Sequence, residues 1–166
     1  MRTKSIVILL LILVNFGCDQ ISKELVRKKV EDNAYIPLVK DNFILTKVEN
    51  TGAALGFGAN FSPVLKNVLL NFLPLVVLLI LLVRIFKKQN LPNWNLVAFA
   101  FLIGGGLGNL IDRFLYGSVT DFFHLKIGFL RTGIFNMADV SVTLGAICLL
   151  ISVMQQQKKT SSKNLA

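Results

Sequence analysis

Asp139 stands in Ile134-Phe135-Asn136-Met137-Ala138-Asp139, at the polar start of a run that continues apolar from Val140 to about Met154. An unpaired carboxylate in such a run costs several kcal/mol, so it needs a partner or a task. Polar clusters mark the ends of other apolar runs too. Asp19 and Lys23 stand four apart and share a helix face; Asn109, Asp112 and Arg113 share another; Asn136 and Asp139 stand three apart. The side-chain inventory narrows the chemistry. The only histidine is His124 and there is no Gly-x-Ser-x-Gly, which argues against a serine hydrolase. One histidine cannot supply HExxH for a zinc peptidase, and Cys18 and Cys148 lie in or beside apolar runs without a basic neighbour. Aspartates remain. Two carboxylates about 3–5 Å apart do not readily both ionise: one keeps its proton as acid, and the other draws a proton from water attacking a peptide carbonyl. Such a pair titrates as a unit. Spacing within the apolar runs offers Asp112 as the partner of Asp139. Asp121, in Val119-Thr120-Asp121-Phe122-Phe123-His124, is the other candidate.

A membrane has to position these residues. The chain has 166 residues, 54% hydrophobic and only 16% charged, with a mean hydropathy of +0.64, so it suggests a single domain but not an ordinary soluble one. Several runs reach the roughly 20 residues that cross a hydrocarbon core of about 30 Å. Four spans are predicted, over about 5–25, 63–84, 95–115 and 134–154. The last would put Asp139 about five residues, or roughly 7–8 Å, inside the span. The first also has the outline of a signal peptide, with Gly17-Cys18 resembling a lipoprotein cleavage site. Asn15 and Phe16 suit such a cysteine poorly and three more spans follow, so it reads as a retained span. Beyond it, Lys23 to Asp32 continues as a charged amphipathic helix that Asn33 ends.

Between spans, Ala34 to Asn50 reads as a β-hairpin turning at Lys40-Asp41-Asn42, followed by the glycine-rich 51–58. Residues 116–133 read as an outer loop. Gly104-Gly105-Gly106-Leu107-Gly108 reads as a close helix-packing surface, since no Lys-Ser/Thr follows to make a phosphate loop. The net charge of +9 forms no single basic face, which excludes a nucleic-acid partner and leaves the charges as topology markers. The N-terminus, the 84–93 turn and the 155–166 tail hold eight Lys/Arg and no acid. The opposite side receives ten Lys/Arg and all nine acids, so its basic residues are matched. Both termini are therefore expected in the cytoplasm, with the polar helix ends near the outer surface.

Asp19-Gln20-x-x-Lys23, Asn50-Thr51-Gly52-Ala53-Ala54, Gly108-Asn109-x-x-Asp112-Arg113, Val119-Thr120-Asp121-Phe122 and Phe135-Asn136-x-Ala138-Asp139 occur in that order along nearly the whole chain. Together they resemble the bacterial lipoprotein signal peptidase family, signal peptidase II. The resemblance implies a mainly α membrane protein of the plasma (inner) membrane: four transmembrane helices, a small extracytoplasmic β-sheet cradle over 34–60, and a flap loop or short helix over 116–133. It implies a monomeric aspartyl endopeptidase that works at the outer face on membrane-embedded, diacylglyceryl-modified prolipoproteins, cutting before the lipidated cysteine. Asp121 and Asp139 are then the catalytic pair. Asp112 becomes an ion-paired orienting residue beside Arg113. Asp19, Lys23, Asn50, Gly52, Asn109, Arg113, Asn136 and Ala138 shape the site or hold substrate. No metal, cofactor or covalent intermediate is needed. Leu55 departs from the aromatic residue expected of many relatives.

A small transporter or channel with an acidic outer vestibule is the competing reading. It would carry polar residues through the spans, whose inner halves are apolar here, and would leave the β segment unexplained. A Gly-x-Gly-Asp intramembrane protease is excluded, because Asn109 stands at the aspartate position of Gly106-Leu107-Gly108-Asn109.

Overall fold

Backbone in hydrocarbon must satisfy its own hydrogen bonds, so apolar runs of this length fold as helices. The computed structural model describes residues 2–87 and 92–163. In chain order these form α1 (Arg2–Lys29), β1 (Ile36–Val39), β2 (Phe43–Asn50), a 3₁₀ turn (Ala54–Gly56), α2 (Pro63–Lys66), a π-helical stretch (Asn67–Phe72), α3 (Leu73–Lys87), α4 (Asn93–Tyr116), β3 (Val119–Ile127), β4 (Leu130–Phe135) and α5 (Met137–Lys163). Four helical segments are long and apolar enough to cross a membrane: Ile6–Lys29, Pro63–Lys87, Asn93–Tyr116 and Met137–Gln157. The second begins where Ser62 caps the N–H of Leu65 and Pro63 occupies the first turn, and it runs through the π-helical stretch. Part of the predicted 84–93 turn, residues 88–91, lies outside the described residues, as do 164–166. The predicted tail is otherwise helical as far as Lys163.

α4 is the central post and the most buried of the four spans. Phe99, Ala100, Ile103 and Leu110 pack with Ile8 and Ile12 of α1 and Leu78 of α3. Its glycines let neighbours come close. A Cβ on Gly105 would stand 2.5 Å from the Ala138 carbonyl oxygen of α5, and one on Gly104 would stand 2.7 Å from Asn15 Cβ of α1. Inside the bundle Ser141 Oγ donates to Asn15 Oδ1 at 2.9 Å, fastening α5 to α1.

The strands form one antiparallel sheet in the order β1-β2-β3-β4. The predicted first hairpin is present, with Ile36 opposite Leu45 and Pro37 opposite Ile44. The segment 116–133 departs from its expected form: it is a second hairpin, not a flap loop. Val119–Ile127 mixes Asp, His and Lys with aromatics, so its apolar pattern is broken. Pairing with β2 on one side and β4 on the other supplies the ladder that local pattern did not announce. Gly117 (φ 74) ends α4 and Gly128 (φ 60) reverses the hairpin, both in the left-handed region that favours glycine. Phe122 packs on Val26 and Val30, so the end of α1 holds the sheet over the helix ends.

Candidate active site

α5 starts at Met137, three residues later than the span predicted from hydropathy. Asp139 therefore lies in the first helical turn, where N–H groups and the helix dipole favour a carboxylate, and not five residues deep. Asn136 and Asp139 cap each other: Asp139 N–H donates to Asn136 Oδ1 at 3.0 Å and Asn136 N–H donates to Asp139 Oδ2 at 3.2 Å. The N–H of Ala138 between them donates to Asp19 Oδ1 of α1 at 2.8 Å. A residue that looked misplaced in an apolar helix is part of that helix's N-terminal cap.

From there a chain of side-chain amides reaches Asp121 on β3. Asn109 of α4 donates from Nδ2 to Asp139 Oδ1 at 2.8 Å, and its Oδ1 accepts from Asn136 Nδ2 at 3.1 Å and Lys23 Nζ at 2.9 Å. Asn136 Nδ2 also donates to Asp121 Oδ1 at 2.6 Å. Asn50, at the end of β2, donates to Asp121 Oδ2 at 2.9 Å. The Asn50 carbonyl oxygen Oδ1 accepts from Gly52 N–H at 2.9 Å, which folds the 50–56 turn over the site. A Cβ on Gly52 would stand 2.6 Å from the Phe57 carbonyl oxygen. Burial, the largest influence, and then the nearby Asp139 charge push Asp121 up to about 6, against the hydrogen bonds from Asn50 and Asn136 that favour its ionised form.

Asp121 and Asp139 line a cleft of about 310 Å³ with Asn50, Asn109, Arg113, Leu55 and Thr132. Leu55, held at φ 60, leans over it against Gly133. Asp112 is absent from that lining. It is fully buried and bound to Lys23 Nζ (3.1 Å) and Arg27 Nη2 (2.9 Å), and it accepts from Thr120 N–H at 3.3 Å. Its ion-pair partners are therefore on α1, and the pairing with Arg113 read from adjacency is corrected. One turn of α4 presents Asn109 and Arg113 to the cleft and Asp112 to α1. Lys23 also pairs with Asp19 at 2.8 Å, both fully buried, as the four-residue spacing predicts. Gly108 leaves room for that Asp19 carboxylate. Arg113 instead donates from Nη2 to Gly52 O at 3.0 Å, and its Nε is buried without a protein partner.

The structure thus brings ten of the sequence-predicted residues, Asp19, Lys23, Asn50, Gly52, Asn109, Arg113, Asp121, Asn136, Ala138 and Asp139, into one connected site, with Asp112 in its supporting layer. Arg27 and Thr120 were missed. Arg27 Nε donates to Thr120 Oγ1 at 2.8 Å, and Thr120 Oγ1 donates to Glu49 Oε1 at 2.8 Å, tying α1, β3 and β2 together beside Asp121. Arg27 stands four residues after Lys23 and eight after Asp19, on the same helix face, and that spacing was the available signal. Among the described residues no group of three or more His, Cys, Asp or Glu is placed to hold a metal ion.

Comparisons with known proteins place the chain by family and by fold. The family model described as signal peptidase (SPase) II matches residues 11–155. The lipoprotein signal peptidase of Halothermothrix orenii is 37% identical over 153 residues, covering 92% of this chain and 96% of that one. The enzyme of the same name from Moorella thermoacetica is 38% identical over 141 residues, covering 85% and 88%. Among solved structures, a bacterial membrane enzyme determined by the in meso method superposes with a TM-score of 0.83 at 27% identity, covering 92% of this chain and 90% of that chain. With four apolar spans, one antiparallel sheet and two carboxylates joined through asparagines at their junction, the chain belongs to the signal peptidase II family of membrane aspartic peptidases.

Proposed function

We propose that this protein removes signal peptides from diacylglyceryl-modified prolipoproteins, with Asp121 and Asp139 as the catalytic pair. The observation that carries the assignment is the shared hydrogen-bond chain: both carboxylates face one cleft and are joined through Asn109 and Asn136. Asp121, held up to about 6, is the proton-bearing member. Asp139 accepts a proton from a water as its oxygen attacks the scissile carbonyl carbon, while the Asp121 proton passes to the carbonyl oxygen. The resulting diol collapses as the carbon–nitrogen bond breaks. Asp139 returns its proton to the leaving nitrogen, Asp121 recovers its own, and no bond to the enzyme forms. Arg113 Nε, buried and unpartnered, is free to receive a substrate backbone carbonyl beside the pair.

The basic residues of the termini and of the turn after α3 support a cytoplasmic placement of those ends, and with it the sheet and cleft at the outer face. At that level an apolar signal segment enters sideways from the bilayer while the lipidated cysteine keeps its acyl chains in hydrocarbon. Each protomer holds a complete site, which supports a monomeric enzyme. The transporter reading loses its support, since the buried charged residues Asp19, Lys23, Asp112 and Asp121 collect at one end of the bundle as a cross-linked site. The test is cleavage of a diacylated precursor, followed as a gel shift beside the non-lipidated form. Asp121→Asn and Asp139→Asn should each lower the rate by about 10²–10⁴-fold with membrane insertion intact. Near-parental activity in either variant removes the pair, and equal cleavage of the non-lipidated precursor removes the substrate assignment.

A further inference from the structure

β3 runs without an inserted residue, so its side chains alternate between faces. Asp121, Phe123, Leu125 and Ile127 share one face; Thr120, Phe122, His124 and Lys126 share the other. The face that carries Asp121 therefore continues as apolar residues to the β3–β4 turn. At that turn Ile127 lies opposite Leu130, and Lys126 lies opposite Arg131. Phe129 at the tip is 93% exposed, with Ile127 and Leu130 at 61% and 62%. The β1–β2 turn meets the same end of the sheet, since Lys126 N–H donates to Asn42 O at 2.7 Å, and it brings exposed Val39 and Lys40.

Like charges directly opposite one another weaken a strand pair. Lys126 and Arg131 accept that arrangement, and among the described residues neither forms an ion pair. Lys126 Nζ lies over the Tyr35 ring, 5.5 Å from its centre, while the nearby Asp41 accepts from Tyr35 Oη at 2.9 Å. Three large apolar side chains left in water and two cations opposite one another in the ladder without an ion pair among the described residues are both relieved by one kind of partner. That partner is amphiphilic, with hydrocarbon on one side and phosphate on the other.

We propose that the β3–β4 hairpin is a lipid-anchoring tip. Ile127, Phe129 and Leu130 enter the acyl–headgroup boundary of the outer leaflet, and Lys126 and Arg131 clamp a phospholipid phosphate. The hairpin is joined directly to two spans, since β3 follows α4 and β4 leads into α5. Anchoring the tip fixes the height of the sheet, because Asp121 stands six residues back along β3, about 20 Å at 3.3 Å per residue. The inference rests on the outer-face placement proposed above, but not on which carboxylates react.

The experiment uses Phe129→Trp in the full-length protein in nanodiscs, read as the difference from the parent, whose one tryptophan is Trp94. The added emission should be quenched by phosphatidylglycerol brominated at shallow acyl positions and protected from aqueous iodide. Emission quenched by iodide and not by brominated lipid overturns the proposal. In the same protein, Lys126→Gln and Arg131→Gln should each reduce the ratio of inserted to withdrawn tip about fivefold, the value of roughly 1 kcal/mol per basic residue at an anionic surface. Lipid quenching unchanged in the double variant overturns the phosphate clamp. These readouts do not use cleavage, so loss of the catalytic assignment would leave them standing.

Discussion

Asp121 combines a buried carboxyl with two amide donors, and these act in opposite directions. Burial and the Asp139 charge favour the protonated form, whereas the Asn50 and Asn136 amides favour the ionised one. The proton-bearing role proposed for Asp121 then predicts an alkaline loss of activity governed by this group. In Asn50→Ala the donor at 2.9 Å is gone, so the pair should hold its proton to higher pH and the alkaline limb should move upward. A pH–rate profile of the cleavage assay checks this; a limb that stays or moves down contradicts the role. Stability carries the same sign. Asp121 sits at about 6 in the fold against 3.8 when free, so its ionisation opposes folding above the higher value and has no effect below the lower one. At 1.36 kcal/mol per unit this is about 3 kcal/mol, and an amide facing Asn50 and Asn136 would give back roughly 1 of it. Asp121→Asn should therefore be more heat-stable than the parent at neutral pH by on the order of 2 kcal/mol. In acid, where Asp121 keeps its proton, only the amide mismatch remains and the order should reverse by roughly 1 kcal/mol, as read by melting in detergent at both pH values.

Elements enter the chemistry through their seams. Asn109 and Asp139 meet because α4 and α5 approach at Gly105, where a Cβ would stand 2.5 Å from the Ala138 carbonyl oxygen. Gly105→Ala must push α5 away, at a cost of about 1–3 kcal/mol. The displaced N-terminus carries Asp139, so cleavage should fall about tenfold or more while Asp41, remote from the seam, keeps its accessibility. Protease resistance and kcat measured on the same preparation check both parts. The α1 seam is electrostatic instead. Lys23 is fully buried between Asp19 and Asp112, and Lys23→Met would leave two buried carboxylates short of a counter-charge, with only Arg27 remaining on Asp112. A loss of about 3–5 kcal/mol is expected, visible as low yield of folded protein from the membrane.

At the scale of the molecule, the bundle and the sheet divide the work. The helices supply Asn109, Arg113, Asn136 and Asp139 at one level, and the sheet brings Asp121 and Asn50 down onto them. A reaction with water at a lipidated substrate needs that junction, which is apolar below and polar above. The proposed orientation predicts that Asp41→Cys, in the turn between β1 and β2, reacts with a membrane-impermeant thiol reagent in intact cells above the background of Cys18 and Cys148. Labelling only after the inner face is opened would reverse the topology. EDTA should leave cleavage unchanged, and chelator-sensitive activity would point to a metal-assisted reaction.

Composition and hydropathy alone determined the four spans and the first hairpin, because lipid imposes length and apolarity on every segment that crosses it. The order of motifs named the site residues, and local spacing matched Asp19 to Lys23 and Asn136 to Asp139 because one helical turn suffices for each. Where contacts cross from one element to another, local spacing is silent. It paired Asp112 with Arg113, while the folded bundle turns Asp112 to Lys23 and Arg27 of α1. It read 116–133 as a loop, while β2 offers that segment a ladder from some 70 residues earlier, as in the pairing of Val48 with Asp121. It set Asp139 inside a span, while the true helix start makes it a capping residue. The tertiary structure decided all three, because hydrogen-bond partners and counter-charges are chosen by proximity in space, and a buried carboxylate takes whichever cation the packing brings to it.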